Sequence, residues 1–199
     1  MNEIAEIMQR GGVVMWPLLL LSLITVTLLF ERAWFFLKTN SPTRLKNVQR
    51  LAKLMREGDY DTARGMAEAD RSVYGDVALM LLDEQVTEAV AIDAVESQRR
   101  RLERFMPTLS TVITAAPMLG ILGTVLGIIA SFRVLSEQTA TGDPTYVSQG
   151  IAEALITTAA GLVVAVITLF PYNGLRAQID RTLSRMESLV AAALQGANT

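Results

Sequence analysis

The sequence predicts an all-α membrane protein with three transmembrane helices, two of which are long and extend into a cytoplasmic helical bundle. Three observations predict this fold class. Hydrophobic residues make up 51% of the 199 positions. Charged residues are absent from positions 11–30, 106–132 and 154–175, and each of these stretches can cross a hydrocarbon core of about 30 Å at roughly 1.5 Å per residue. The basic residues, finally, gather between these stretches rather than within them.

The first apolar stretch is predicted to be an uncleaved transmembrane helix rather than a signal peptide. Its leader, Met1 to Arg10, carries Glu3 and Glu6 and so lacks a strongly positive region. No small-residue cleavage site closes the stretch, which instead ends in charged and aromatic residues at positions 30–34. Such residues are typical of a membrane interface.

The distribution of lysine and arginine predicts the orientation of all three helices. Only Arg10 precedes the first apolar stretch, and none lies in the loop from Val134 to Gly150. Thirteen of the 18 basic residues lie between the first two stretches: Arg32, Lys38, Arg44, Lys46, Arg50, Lys53, Arg56, Arg64, Arg71, Arg99, Arg100, Arg101 and Arg104. Because basic residues are retained in the cytoplasm, the N-terminus is expected outside and the C-terminus inside.

The resulting organisation has seven segments. We expect a periplasmic N-terminus (1–12), a first transmembrane helix (13–36), a cytoplasmic helical region (37–104), a second transmembrane helix (105–133), a periplasmic loop (134–148), a third transmembrane helix (149–173) and a cytoplasmic C-terminal helix (174–199). The loop contains Gly142-Asp143-Pro144, which is turn chemistry.

Apolar spacing of three and four predicts helices throughout the cytoplasmic region. Gly58-Asp59 is expected to end the first of them, and Asp59 or Asp61 to cap the next. A further helix is predicted from about Ser72 to Glu84. Beyond it we expect one continuous helix from about Thr87 to Leu135, and a third transmembrane helix that also runs on past the membrane, through Leu175, Ile179, Leu183, Met186, Leu189 and Val190.

The composition removes several kinds of chemistry. The chain contains neither cysteine nor histidine, so it lacks thiolates, the usual zinc ligands and the commonest general base. Without a convergent catalytic cluster, we expect no enzyme, no catalytic residue, no metal and no cofactor. Nucleic acid is not an expected partner either.

Small residues form a stripe on each of the last two transmembrane helices. The second helix holds Ala116, Pro117, Gly120, Gly123, Thr124, Gly127 and Ser131, and the third holds Ala154, Thr157, Thr158, Gly161 and Ala165. Small residues allow another backbone to approach closely. This pattern fits plain helix packing as well as the wall of a pore or the seat of a partner helix.

Two threonines are predicted to lie at the same depth. Thr124 comes 9 residues before Arg133 and Thr158 comes 9 residues after Gln149 on a helix running the other way, so both should lie about 13 Å below the outer ends. Their hydroxyls could bind a polar group at mid-membrane. Alternatively, each could bond the carbonyl one turn back on its own helix.

Glu153 is the one ionisable residue clearly inside a predicted transmembrane helix. A carboxylate there is costly and is therefore a functional candidate. It could instead lie near the outer interface and face water. With no deeper acid or base, a proton path through this chain would need a central acid from a second chain.

Three motifs resemble the ExbB/TolQ/MotA family of proton-channel subunits. They are GGVVMWPLLLLS from Gly11 with Glu31-Arg32 after it, AAPMLGILGTVLG from Ala115, and GIAEALITTAAGL from Gly150 with Tyr172-Asn173 after it. The chain resembles the ExbB branch in particular. The MotA branch has four transmembrane helices, so three favour ExbB or TolQ.

The resemblance implies a pentamer in the bacterial inner membrane whose second and third helices line a central pore. An ExbD- or TolR-like partner would place a single helix with a proton-accepting Asp in this pore, and a TonB- or TolA-like protein would receive the work. Thr124 and Thr158 match the threonines that face that Asp, and Glu153 matches the glutamate of the third-helix motif.

The sequence departs from this family in one respect. Many relatives have proline in the middle of the third helix, where this chain has Ile167, and Pro171 comes four residues later. The ion is expected to be H⁺, since no further polar cluster lies beside Thr124 and Thr158. A TolQ-like subunit for envelope integrity and cell division, or a scaffold that conducts no ions, are the alternatives.

Overall fold

The computed structural model describes residues 12–83, 86–137 and 144–197, which form seven α-helices and no strand. The helices are α1 (Met15–Thr39), α2 (Pro42–Glu57), α3 (Tyr60–Ala69), α4 (Val73–Asp83), α5 (Glu88–Leu102), α6 (Met106–Glu137) and α7 (Pro144–Ala197). The fold class is therefore the predicted one. Most of the predicted N-terminal segment and the turn at Gly142-Asp143 lie outside the described residues.

The chain divides into two units. An apolar unit comprises Met1–Phe30 and Phe105–Asn173, and a polar unit comprises Glu31–Arg104 and Gly174–Thr199. Helices α1 and α7 contribute residues to both units.

Within the described part of the chain, three helices are long and apolar enough to cross a membrane. They are the ones predicted from the charge-free stretches. In the apolar unit, the first turns of α1 pack against α6 and α7 through Val14, Met15, Leu18, Val112, Ala116 and Ala165. Large apolar side chains such as Leu23, Met118 and Phe170 remain exposed. Such a surface suits a hydrocarbon solvent rather than water.

Local signals in the sequence define the helix ends of the polar unit. Gly58 ends α2 with a φ of 77°, in the left-handed region that favours glycine. Asp59 caps α3, since its Oδ1 accepts a hydrogen bond from the Thr62 N–H at 3.2 Å. Thr87 caps α5 in the same way through the Val90 N–H at 3.3 Å. The predicted break at Gly58-Asp59 and the helix predicted from Ser72 are confirmed.

The polar unit has its own hydrophobic core. Tyr74, Leu81, Leu102, Met186 and Leu189 are fully buried, and burying a side chain of leucine size contributes about 1.5–3 kcal/mol. Helix α7 continues unbroken through Pro171 to Ala197, and Leu175, Ile179, Leu183, Met186 and Leu189 form its buried face. The predicted extension of the third transmembrane helix is confirmed.

The predicted single helix from Thr87 to Leu135 is wrong, because the chain breaks between α5 and α6. Helix α5 ends at Leu102 and α6 begins at Met106, and Phe105 between them has a φ of 68°. Pro107 favours the break. It has no N–H to donate, and its ring would clash with the Glu103 carbonyl in a continuous helix. Of the two helices expected to continue beyond their apolar stretches, only α7 is uninterrupted.

Candidate functional site

The small residues of α6 and α7 face each other within this one chain. A methyl group built on Gly120 would lie 2.9 Å from the Thr158 Cα, and one built on Gly161 would overlap the Ala116 carbonyl. Gly123 lies against the Thr157 side chain, Gly127 against Ala154, and Gly150 against the Ser131 hydroxyl. These glycines are therefore required for the close approach of two antiparallel helices.

Most of the predicted small-residue set takes part in this packing. Eight of its members are buried: Ala116, Gly120, Gly123, Ser131, Ala154, Thr157, Gly161 and Ala165. Ser131 donates a hydrogen bond to the Gly127 carbonyl at 2.9 Å. Ala165 contacts the α1 side of the core, and Pro117 lies half-buried inside α6. The structure thus gives these residues a packing role inside the chain, and their contribution to a pore wall stays a prediction.

The two predicted threonines lie close together but form different hydrogen bonds. The Thr158 Oγ1 donates across the interface to the Gly120 carbonyl at 2.9 Å. The Thr124 Oγ1 donates within its own helix to the Ile121 carbonyl at 2.7 Å. The two acceptors belong to consecutive residues, about 1.5 Å apart along the axis of α6. Both side chains are half-buried.

These hydrogen bonds decide what the two hydroxyls can offer. A hydroxyl has one donor and two acceptor lone pairs. In each threonine the donor is engaged with a backbone carbonyl, which leaves the oxygen able to accept a hydrogen bond from a further group. The arrangement therefore suits a proton-bearing partner group better than a bare carboxylate.

Thr157 and Glu153 differ in their surroundings. Thr157 is only 1% exposed, and its methyl carbon lies against Gly123, so its side chain is part of the helix interface. Glu153 is half-buried and precedes Ala154, which packs on Gly127. It directly precedes the charge-free stretch 154–175 of α7, and its depth in the membrane stays a prediction.

No charged residue occurs at positions 106–132 or 154–175. The described residues also contain no group of three or more acidic, His or Cys side chains that could hold a metal ion. The interface between α6 and α7 thus provides hydroxyl and carbonyl groups in an apolar setting, with Glu153 at its edge.

A polar cluster in the polar unit was not predicted from the sequence. The Asn40 amide lies at its centre and donates to Gln178 Oε1 at 3.3 Å and to Thr182 Oγ1 at 3.2 Å. Its carbonyl oxygen accepts from the Tyr74 hydroxyl at 2.8 Å and from Arg185 at 3.1 Å. Tyr74 is fully buried. These residues are 34 to 145 positions from Asn40, so no local sequence pattern could have indicated the cluster.

Arg32, which belongs to the first motif, is buried in the structure. Arg32 is 2% exposed and pairs with Glu31. Its guanidinium lies 4.6 Å from the centre of the Phe35 ring and donates to the Arg101 carbonyl at 3.1 Å. That carbonyl belongs to the last turn of α5, so Arg32 satisfies one of the helix's unpaired C-terminal carbonyls.

Comparison with known proteins agrees with this architecture. The model of the MotA/TolQ/ExbB proton channel family matches residues 63–188. A putative biopolymer transport protein, ExbB-like 3, of Synechocystis sp. is 36% identical over 180 residues, covering 83% of this chain and 81% of that protein. The biopolymer transport protein exbB1 of Vibrio cholerae is 29% identical over 202 residues, covering 94% and 85%.

A shorter match reaches the Tol-Pal system. The protein TolQ of Pseudomonas aeruginosa is 41% identical over 93 residues, covering 46% of this chain and 39% of that protein. The matched family model covers both long apolar helices α6 and α7 apart from the end of α7. The chain is therefore a multi-pass membrane protein that belongs to the MotA/TolQ/ExbB proton channel family.

Proposed function

We propose that this chain is an ExbB-like subunit of an inner-membrane motor driven by the proton motive force. The observation that carries the proposal is the pair of hydroxyls, Thr124 and Thr158, on consecutive carbonyls of α6. They lie in stretches with no charged residue. Family membership supports the same class of function.

The proton-accepting group is proposed to come from a second chain. An ExbD- or TolR-like protein with a single transmembrane helix would place its Asp beside the two threonines. Because both hydroxyl donors are engaged, the oxygens would accept a hydrogen bond from the protonated carboxyl. Hydrogen bonding to the neutral form raises the pKa of such a carboxyl and assists proton uptake. Glu153, at the edge of the site, would serve the path between the site and the outer face.

The work is proposed to pass to a periplasm-spanning protein of the TonB or TolA type. Five copies of this chain would surround the partner helices, with the N-terminus in the periplasm and the C-terminus in the cytoplasm. The 13 basic residues between the first and second apolar stretches support this orientation.

The test compares matched threonine variants in vesicles that contain the partner protein. Thr124→Val and Thr158→Val remove a hydroxyl while keeping the shape, and each should lower proton flux by about tenfold or more, because a lost hydrogen bond to the titrating group costs about 1.5–3 kcal/mol and about 1.4 kcal/mol corresponds to tenfold. Thr114→Val is the control, because Thr114 is an exposed α6 residue that bonds its own helix. Unchanged flux in both test variants, with normal assembly, would refute the assigned roles.

Two alternative functions each have one supporting observation. The TolQ match supports a subunit for envelope integrity and cell division. The close intrachain packing of α6 on α7 supports a scaffold that conducts no ions. A measurement of proton flux distinguishes the scaffold from the motor. Rescue of a strain that lacks ExbB, compared with rescue of a strain that lacks TolQ, distinguishes the two motor branches.

A further inference from the structure

A small basic cavity lies within the polar unit, away from the threonine site. Its volume is about 260 Å³. Four of its lining residues are cationic, namely Lys38, Arg44, Arg71 and Arg101, and no acidic residue lines it. The remaining lining residues are Phe35, Thr39, Ser72 and Val73.

The positive charge in this cavity is only partly balanced. Arg44 forms an ion pair with Asp70 at 3.3 Å, and Arg101 forms one with Asp76 at 2.9 Å. Lys38 and Arg71 form no ion pair within the part of the chain that the structure describes. Counting the two paired acids against the four cations leaves a surplus of two positive charges around the cavity.

The backbone adds to this surplus. Val73 begins α4, an 11-residue helix, and lines the cavity at the positive end of the helix dipole. The Ser72 hydroxyl accepts the Tyr74 N–H at 3.2 Å and so holds this helix end in place. The Lys38 carbonyl accepts a hydrogen bond from Arg44 at 2.8 Å, which fixes the Arg44 side chain across the end of α1.

We infer that this cavity binds the phosphate group of an anionic ligand. Three guanidinium groups and an ammonium offer charge-assisted donors, the paired N–H groups of arginine match the geometry of phosphate, and a helix N-terminus also favours this anion. At about 260 Å³ the cavity is smaller than the roughly 300–1,000 Å³ of sites for drug-sized ligands, so it fits a headgroup or a free ion.

Two sources of this phosphate group are compatible with the site. Phe35, Lys38 and Thr39 belong to the last turns of α1, a helix long and apolar enough to cross a membrane, so a phospholipid headgroup could reach the cavity. Inorganic phosphate from solution is the other source.

Binding should be measured on the full-length protein after delipidation in detergent. One arm titrates phosphatidylglycerol and counts bound lipid by native mass spectrometry. The other titrates inorganic phosphate against chloride at equal ionic strength and follows thermal stability. We expect saturable binding in at least one arm. Binding of the lipid without binding of inorganic phosphate identifies a headgroup site. Binding of inorganic phosphate, with or without binding of the lipid, shows that the cavity accepts the free ion.

Two double variants with equal charge change locate the binding. Lys38→Gln with Arg71→Gln should weaken it by about tenfold or more, as expected for lost charge-assisted hydrogen bonds. Lys46→Gln with Arg50→Gln, at exposed α2 positions outside the cavity, should leave it unchanged. If the double variant is unstable, the single variant Arg71→Gln is measured in its place and should also weaken binding. Absence of saturable binding in both arms, or equal effects of the two double variants, would overturn the inference.

Discussion

At the residue scale, the geometry separates two neighbouring threonines that the motif places side by side. Thr157 packs its methyl against Gly123, whereas Thr158 donates to the Gly120 carbonyl across the interface. Thr157 is buried, and Thr158 retains exposed surface. Consecutive helical residues point about 100° apart, so one side chain fills the contact between the helices and the other remains able to meet a further group.

The glycines of this interface give a prediction with a matched control. Gly161→Ala would drive a methyl into the Ala116 carbonyl and should lower stability by about 1–3 kcal/mol, the usual cost of overpacking. Gly174→Ala lies on the same helix with nothing within 4 Å, and it should raise stability slightly because alanine favours helix by about 1 kcal/mol. Thermal unfolding in detergent measures both, and effects of the same sign would contradict the packing described for α6 and α7.

The Asn40 cluster gives a second prediction at this scale. Tyr74→Phe removes the hydroxyl that donates to Asn40 at 2.8 Å. A buried hydrogen bond contributes about 1 kcal/mol, which lowers the melting temperature of a protein of this size by roughly 2–4 °C. Tyr60→Phe, at an exposed tyrosine, is the control and should change nothing measurable. Equal melting temperatures for both variants would show that the cluster contributes no stability.

At the element scale, the break between α5 and α6 separates what the sequence could predict from what it could not. Helix periodicity continues from Thr87 into the apolar stretch, and no glycine marks the junction. Pro107 was the available signal, since proline is favoured in the first turn of a helix and removes a hydrogen bond from a helix interior. The signal is not decisive, because α6 and α7 accommodate Pro117 and Pro171 in their interiors. The contribution of Arg32 could not be predicted, because it reaches Arg101 across 69 positions.

The backbone conformation of Phe105 at this break gives a further prediction. Its φ of 68° is unfavourable for any residue with a Cβ. Phe105→Gly and Phe105→Ala both remove the ring, so the difference between their free energies of unfolding reports the cost of the backbone conformation. The glycine variant should be more stable by about 1 kcal/mol. Ser110 is an exposed position inside α6. There the order of stability should reverse, so that Ser110→Ala is more stable than Ser110→Gly. The same order at both positions would contradict the left-handed conformation of Phe105.

The buried face of α5 does not follow the size of the apolar side chains. Ile92 is 63% exposed, whereas Ala91, Ala94 and Leu102 are buried. The larger apolar side chain of Ile92 thus lies outside. Which apolar residues are buried depends on the neighbouring helices and is not encoded in the local spacing of apolar residues.

At the scale of the whole molecule, the three long apolar helices and the family could be predicted because both depend on strong local signals. Charge-free stretches of 20 residues or more leave few alternatives to a membrane helix, and the three motifs occur in order along the chain. The pairing of Asn40 with Arg185 and the basic cavity depend on the tertiary fold of the polar unit.

The proposed orientation can be tested by cysteine labelling without first replacing native cysteines, because the chain contains none. Ser136→Cys lies at the C-terminal end of α6 and Ser188→Cys near the C-terminal end of α7, both at exposed positions. A membrane-impermeant maleimide applied from the periplasmic side should label Ser136→Cys in intact cells and Ser188→Cys only after lysis. The reverse pattern would invert the proposed topology.

The central claim is that this chain conducts protons only together with a partner that supplies a carboxyl group beside Thr124 and Thr158. The most direct test is proton flux into vesicles that contain this chain alone, with its partner, or with the partner whose membrane Asp is replaced by Asn. We predict flux only with the unmodified partner. Flux from this chain alone, or flux that persists with the Asn variant, would contradict it.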